Sequence, residues 1–393
     1  MQTSIRAMYM RGGTSKGVFF LAEDLPSDPV IRERILLRVA GSPDPYRQQI
    51  DGMGGATSST SKVVIISASQ RDDCDVDYLF GQVSIDQPMI DWSGNCGNLT
   101  AAVGPFAIHR GLVKPPKEGI ATVRVWQANI QKQILVHVPV SQSQVVETGT
   151  FELDGIAHPA AEIAIEFIDP GADGEEGSGS GMFPTGNRID TLEIPGIGSI
   201  DATLIMAGNP AVFVRADALG LTGTELQSDV NQDPALLERL ETIRAHAAVR
   251  MGLGDTPQDV SKNRQHTPKI AFFASPKDYT ASDGKTVTSD RIDLLARIMS
   301  MGRLHHAMTG TGAVGIAVAA ALTDTIVSQI MGHPKDDITF GHPSGVLRIG
   351  AVVHLEGSET EVRAVKVSRS ARRLMDGHVF VPLSLLSQEV QAT

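Results

Sequence analysis

The sequence predicts an α+β protein of two comparable halves, each folding a mainly antiparallel sheet around one helix of small residues. Three observations carry this expectation. Segments such as Thr122–Trp126 and Ile134–Val140 alternate apolar and polar residues with a two-residue period, the pattern of half-buried antiparallel strands. The stretch from Asp169 to Asn187, acidic and rich in Gly and Ser, cannot bury much apolar surface and divides the chain near its middle. A small polar turn opening a helix of mostly Ala, Gly and Val occurs once on each side of it. Ser93-Gly94-Asn95-Cys96-Gly97-Asn98 leads into Leu99–Gly104, and Thr309-Gly310-Thr311-Gly312 leads into Ala313–Ala319. Side chains this small let a sheet sheathe the helix closely on all sides, and two such helices suggest a duplicated plan.

The remaining elements follow in order. Lys62–Ile66 reads as a short apolar strand entered from a Gly/Ser/Thr loop that begins at Asp51. In the second half, Asp233-Pro234 is an N-cap followed by Pro in the first turn. The helix it opens carries Leu236, Leu237, Leu240 and Ile243 on one face and stops before Gly252. A further helix is expected from Ser289 to Met301. Leu347–Leu355 and Val362–Ser368 read as strands, with a C-terminal tail beyond.

Composition bounds the function. The chain has 393 residues, 41% hydrophobic and 20% charged, enough for two domains with sizeable cores and no need of a metal or disulfide to hold them. Its formal charge of −11 argues against a nucleic-acid or anionic-membrane surface as partner. An anionic substrate would have to be held by local donors. Two cysteines, Cys74 and Cys96, make a disulfide framework implausible and favour a reducing compartment. The N-terminus has no apolar segment of signal-peptide length, and the run Ala313–Leu322 is too short to span a bilayer, so the sequence reads as cytoplasmic.

Both glycine turns are candidate anion seats, because a helix N-terminus presents unpaired N–H groups and partial positive charge. The alternative is that both merely cap buried helices. Cys96 stands at a helix head, where thiol pKa values fall, and reads either as a poised acid, base or nucleophile or as an inert buried thiol. Cys74, among Asp72, Asp73 and Asp75, reads as a surface bystander. Lys62 is either a solvated strand end or, after eleven mostly small residues that let backbone approach a ligand, a site lysine. Arg11–Lys16 is a second donor-rich loop without the Gly-Lys-Ser/Thr order of a Walker motif. Gly52–Gly55 fails the dinucleotide fingerprint, no G-x-S-x-G is present, and His305-His306 lacks further ligands at a supporting spacing for metal.

These residues meet a family pattern. Asn95-Cys96-Gly97-Asn98 resembles the catalytic-Cys motif of diaminopimelate epimerases and proline racemases, and Gly208-Asn209-Pro210 resembles their substrate loop. The position of their second cysteine, before Gly-Thr-Gly, is Thr309 here. Across nearly the whole chain, Met10–Gly17, Asp51–Lys62, Asp91–Asn98, Met182–Asn187, Gln265–Lys269 and Gly341–Gly345 are similar to the 2-methylaconitate cis–trans isomerase family. That resemblance implies two pseudo-symmetric diaminopimelate epimerase-like domains, residues 1–184 and 185–376, with the site in the cleft between them. Residues from about 377 to 393 would return to the first.

It also implies Lys62 and Cys96 as the catalytic pair. Substrate contacts would come from Arg11, Thr14, Ser15, Ser61, Asn95, Gly97, Asn98, Asn187, Asn209, Lys269, Thr309, Gly310, Thr311, Gly312, His342 and Ser344. The implied activity is cofactor-independent cis–trans isomerisation of 2-methylaconitate or aconitate in propionate catabolism, with no metal. The iron–sulfur 2-methylcitrate dehydratase would be a functional partner, and the resemblance leaves room for a homodimer. With Thr309 where a second thiol would stand, two-base epimerisation is disfavoured. Removing a proton beside the alkene, rotating the dienolate and returning the proton needs one base. Two alternatives stay open: tautomerisation of 4-oxalomesaconate by the same groups, and a non-catalytic accessory role toward the dehydratase.

Overall fold

The computed structural model describes residues 1–171, 181–356 and 359–386. Part of the expected Asp169–Asn187 boundary and the end of the expected tail lie outside the described residues. The fold is mixed α/β. Among the described residues a single large sheet of 19 strands, mainly antiparallel, accompanies seven α-helices. None of these helices is long and apolar enough to cross a membrane.

Seven strands of the first half position the site: β1 (Gln2–Gly12), β2 (Ser15–Leu21), β3 (Lys62–Ala68), β4 (Val76–Val83), β5 (Glu118–Gln127), β6 (Lys132–Ser141) and β7 (Ile163–Ile168). Eight more follow: β8 (Gly198–Ala207), β9 (Asn209–Arg215), β10 (Lys269–Ala274), β11 (Leu294–Ser300), β12 (Asp337–His342), β13 (Gly345–Glu356), β14 (Glu359–Arg369) and β15 (Ala371–Pro382). The ribbon runs in spatial order from β15 and β1 through β7, crosses to β14 by antiparallel pairing, and continues through β13 to β8. Neighbours are antiparallel except for four parallel pairs: β2–β3, β4–β5, β9–β10 and β11–β12.

Three helices matter here: α1 (Gly97–His109), α2 (Pro234–Arg250) and α3 (Gly310–Ala321). Helix α1 packs against β1, β2, β5, β6, β7 and β15, while α3 packs against β8, β9, β12, β13 and β14. Every residue of α3 is buried, as is every residue of α1 up to Ile108. Small side chains permit this burial on all sides, and one apolar core contains both helices. Helix α2 lies outside that core, opened as expected by Asp233, whose side chain accepts from the Leu236 N–H at 3.0 Å.

Two expectations need correction. Ser289–Met301 is not a helix: a short 3-10 turn over Ser289–Arg291 leads into strand β11. All seven β11 residues are buried, so polar alternation is absent and the apolar run fits either period. In the strand Leu294, Ala296 and Ile298 face the central core, while Met299 joins the core beside α2 and Leu295 a third. Arg297 is fully buried there because its guanidinium donates to the backbone carbonyls of Glu225, Ala296 and Gly341. Cys74 is not at the surface but 4% exposed, and burial pushes its thiol pKa up. The C-terminal region includes β15, which pairs with β1 from Gln2 opposite Pro382 to Gly12 opposite Ala371.

Candidate active site

The heads of α1 and α3 abut. A Cβ added to Gly97 would lie 2.7 Å from the backbone carbon of Gly310, and one on Gly310 would overlap Gly97 in the same way. Only glycine at both positions allows this approach, which brings two sets of helix N-terminal N–H groups together. Around the junction lies a small cavity of about 10 Å³. The first half lines it with Ser15, Lys62, Asn95, Cys96, Gly97 and Asn98, and the second with His266, Lys269, Ser300, His305, Thr309, Gly310 and Thr311.

Lys62 opens β3 and is buried. Its Nζ donates to Gln82 Oε1 at 2.6 Å and sits 4.9 Å from the Phe80 ring centroid. Gln82 is oriented by its own amide, which donates to the carbonyls of Ser61 and Ser58 at 3.0 and 3.2 Å. Among the described residues no ion pair ties Lys62 to a carboxylate. Burial therefore lowers its pKa, opposed by the charge and hydrogen bond of the neighbouring Cys96. Cys96 is the N-cap of α1, and its side chain makes no capping bond. Its carbonyl accepts from the Thr100 hydroxyl at 3.1 Å and the Tyr78 hydroxyl at 3.3 Å, which fixes the backbone beneath the thiol.

Lys269 opens β10 from the other half and is equally buried. Its Nζ lies 3.2 Å from His266 Nδ1 and 3.4 Å from Ser300 Oγ. The Asn95 carbonyl, 3.3 Å from His266 Nε2, can only accept, so the imidazole donates from Nε2 and Nδ1 accepts from Lys269. Burial and the lysine charges hold His266 neutral, well below its ordinary pKa. Lys269 is pushed down to about 7, by burial first and then by the charge of Lys62. His305 accepts the Ala307 N–H at Nδ1, which places its proton on Nε2, and burial keeps it neutral.

Asn98 ties the halves together. Its Nδ2 donates to Thr14 Oγ1 at 3.0 Å and to the Met308 carbonyl at 3.1 Å, and its Oδ1 accepts from Arg369 Nε at 3.2 Å. Gly13, with φ +50°, stands so close that a Cβ would meet Asn98 Oδ1. Asn209 grips the Asn95 backbone, accepting its N–H at 2.8 Å and donating to its carbonyl at 2.9 Å.

The structure thus brings together Lys62, Cys96, Ser15, Asn95, Gly97, Asn98, Lys269, Thr309, Gly310 and Thr311, with Thr14 and Asn209 in support. It does not bring in the others. Arg11 donates to the Gly13 carbonyl and to Ser370, pinning the β1–β2 turn. Ser61 Oγ accepts from Gln49, and Asn187 donates to Asp190. The Gly312 N–H is taken by Thr309 Oγ1, the His342 Nδ1 accepts the Ser344 N–H, and the Ser344 hydroxyl donates to the His306 carbonyl. Sequence reasoning missed Gln82, His266, Ser300, His305 and Arg369. The run Gln265–Lys269 carried a local signal for His266, and His305-His306 was weighed only for metal; Gln82, Ser300 and Arg369 carried none.

The PrpF protein family matches residues 2–382. The chain belongs to this family. It is 58% identical to the 2-methyl-aconitate isomerase of Shewanella oneidensis and 56% identical to that of Cupriavidus necator, in each case over 97% of this chain and 98% of the relative. A 4-oxalomesaconate tautomerase of Pseudomonas putida is 38% identical over 97% of both chains. Among solved structures, methylitaconate-delta-isomerase superposes with a TM-score of 0.77 at 36% identity, covering 100% of this chain and 99% of that one. A hydroxyproline epimerase from Agrobacterium vitis shares the fold, with a TM-score of 0.54 at 11% identity over 97% of this chain and 93% of that one.

Proposed function

We propose that this PrpF-family isomerase interconverts the trans and cis forms of 2-methylaconitate by proton abstraction beside the alkene. The observation that carries the reading is Lys62, buried without a carboxylate partner and set against Cys96 at the helix junction. Such burial lowers the Lys62 pKa, which favours the neutral amine that a base requires. Lys62 removes the proton, the C=C loses double-bond character as charge spreads into a conjugated carboxyl, the bond rotates, and the ammonium returns the proton to the same carbon. The helix heads and Lys269 meet the developing charge with fixed donors. Cys96 serves as a hydrogen-bond partner to Lys62 and the dienolate. Relatives at 56–58% identity bearing this activity by name favour methylaconitate as the substrate.

In the same reading the halves are pseudo-symmetric domains, residues 1–184 and 185–376, with a C-terminal tail from about residue 377 returning to the first. The site lies in the cleft between them. The enzyme is cytoplasmic, with the iron–sulfur 2-methylcitrate dehydratase as its functional partner. Tautomerisation of 4-oxalomesaconate is the second reading, favoured by the relative at 38% identity. Proton NMR of 2-methyl-trans-aconitate with the protein in deuterated water tests the proposal. The cis isomer, deuterated at the carbon beside the alkene, is expected. No isomer from folded protein, with turnover of 4-oxalomesaconate instead, would overturn the substrate.

A further inference from the structure

Asn95 is fully buried in the cavity wall, and neither atom of its side-chain amide has a hydrogen-bond partner. Its backbone, by contrast, is held from the other half at both polar groups. Asn209 bonds the N–H and the carbonyl, and His266 donates to the same carbonyl. Buried polar side chains are nearly always paired, so an orphaned donor and acceptor side by side in a substrate cavity mark a place where the ligand must supply both partners. The protein's own cations are engaged elsewhere: Lys62 on Gln82, and Lys269 on His266 and Ser300.

An ionised carboxylate offers only acceptors. It would satisfy Nδ2 and set its charge against Oδ1. A protonated carboxyl offers one acceptor and one donor, the complement of a primary amide whichever way that amide is turned. We propose that Asn95 binds the carboxyl conjugated to the alkene in its protonated form, donating from Nδ2 to the carbonyl oxygen and accepting the acid O–H at Oδ1.

This inference rests on the reading that the substrate is a small unsaturated tricarboxylate, and it changes the chemistry of the first step. When Lys62 takes the proton, the C–H electron pair becomes a new C=C, the old C=C pair shifts toward the carboxyl carbon, and the carbonyl pair comes to rest on the oxygen that Nδ2 holds. One negative charge develops there instead of a second charge on a carboxylate. On return the ammonium of Lys62 gives its proton back to the same carbon, and the acid proton stays on the carboxyl throughout. Asn95 is thereby a catalytic residue rather than a passive carboxylate seat.

The test uses tricarballylate labelled with 13C at its carboxyls, a saturated tricarboxylate that cannot isomerise. Bound to the wild-type protein at pH 7.5, one carboxyl resonance is expected at the position of the free acid and two at carboxylate positions. In Asn95→Leu, which removes both polar atoms at similar volume, all three are expected at carboxylate positions, with kcat for methylaconitate reduced at least a hundredfold. Three ionised carboxyls on the wild type overturn the inference whether or not the variant folds, and so does absence of binding at millimolar tricarballylate. Isomerisation assayed on the same sample separates the failures. Turnover with every carboxyl ionised removes this role for Asn95 alone, whereas an acid resonance without turnover removes the isomerase reading and leaves the protonated carboxyl in place.

Discussion

At the head of α1 the N-cap is Cys96, whose side chain makes no capping bond; at the head of α3 it is Thr309, whose hydroxyl accepts the Gly312 N–H at 3.2 Å. The two helices are alike in composition, in burial and in the glycine that lets them touch. They differ in whether the capping side chain is tied to its own helix or left to the cavity. Threonine is a good cap and cysteine a poor one, so the α3 head is stabilised locally while the α1 head keeps its thiol free of the cap. In the proposed mechanism chemistry is thus concentrated on one helix head, an arrangement suited to taking and returning a proton at one carbon rather than inverting a centre between two opposed thiols.

The comparison can be broken most severely at Lys62. Lys62→Met is expected to lower kcat by about a thousandfold, within the 10²–10⁴ range of a general base, with circular dichroism unchanged. Turnover within a few-fold of wild type would remove the lysine from the mechanism. Cys96→Ala comes next, with an expected loss of about a hundredfold in kcat and little change in melting temperature, since no cap is lost. Equal effects of Cys96→Ala and Thr309→Ala on turnover would abolish the asymmetry of the two heads.

Lys269 sharpens the comparison through pH. If, as proposed, its ammonium meets the charge of the substrate, kcat/KM is expected to fall as pH rises through about 7, and Lys269→Met should lose that falling limb. Its folded pKa lies below the unfolded value of about 10.4, so the folded chain binds fewer protons. Stability therefore declines as pH drops from above 10 toward about 7 and is flat below. Removing the buried amine should stabilise the protein at pH 7 by up to about 4 kcal/mol, read from denaturant midpoints. A variant less stable than wild type would contradict the burial penalty. Thr309→Ala has the smallest expected effect, about 1 kcal/mol of stability with kcat within a few-fold.

Much of this arrangement was legible because it depends on local chemistry. Runs of Ala, Gly and Val announce helices that a sheet can enclose, Asp233-Pro234 announces α2, and alternation announces β5 and β6. Lys62 and Cys96 were marked by the small residues around them, and by resemblance. What stayed hidden depends on contacts distant in sequence. Nothing near Gln82 signals that it will hold Lys62, and Arg369 reaches Asn98 across 271 positions. Strand β11 was misread because burial on both faces erases periodicity, and Cys74 because acidic neighbours in sequence did not keep the thiol itself at the surface.

The pairing of β15 with β1 has a consequence for how the chain comes to life. Strand β1 is synthesised before the other strands, yet its outer edge is covered by β15, which follows them all, and Arg369 and Ser370, just before β15, secure Asn98 and the Arg11 turn. A nascent chain halted at Val353 would already contain both lysines, the thiol and both helix heads, but its opening strand would lack its neighbour and Asn98 its guanidinium. Long-range closures of this kind form late because the intervening loop must be ordered first. Alignment of the site is thereby coupled to synthesis through β15, and a product interrupted before that strand carries both lysines and the thiol without the frame that holds them.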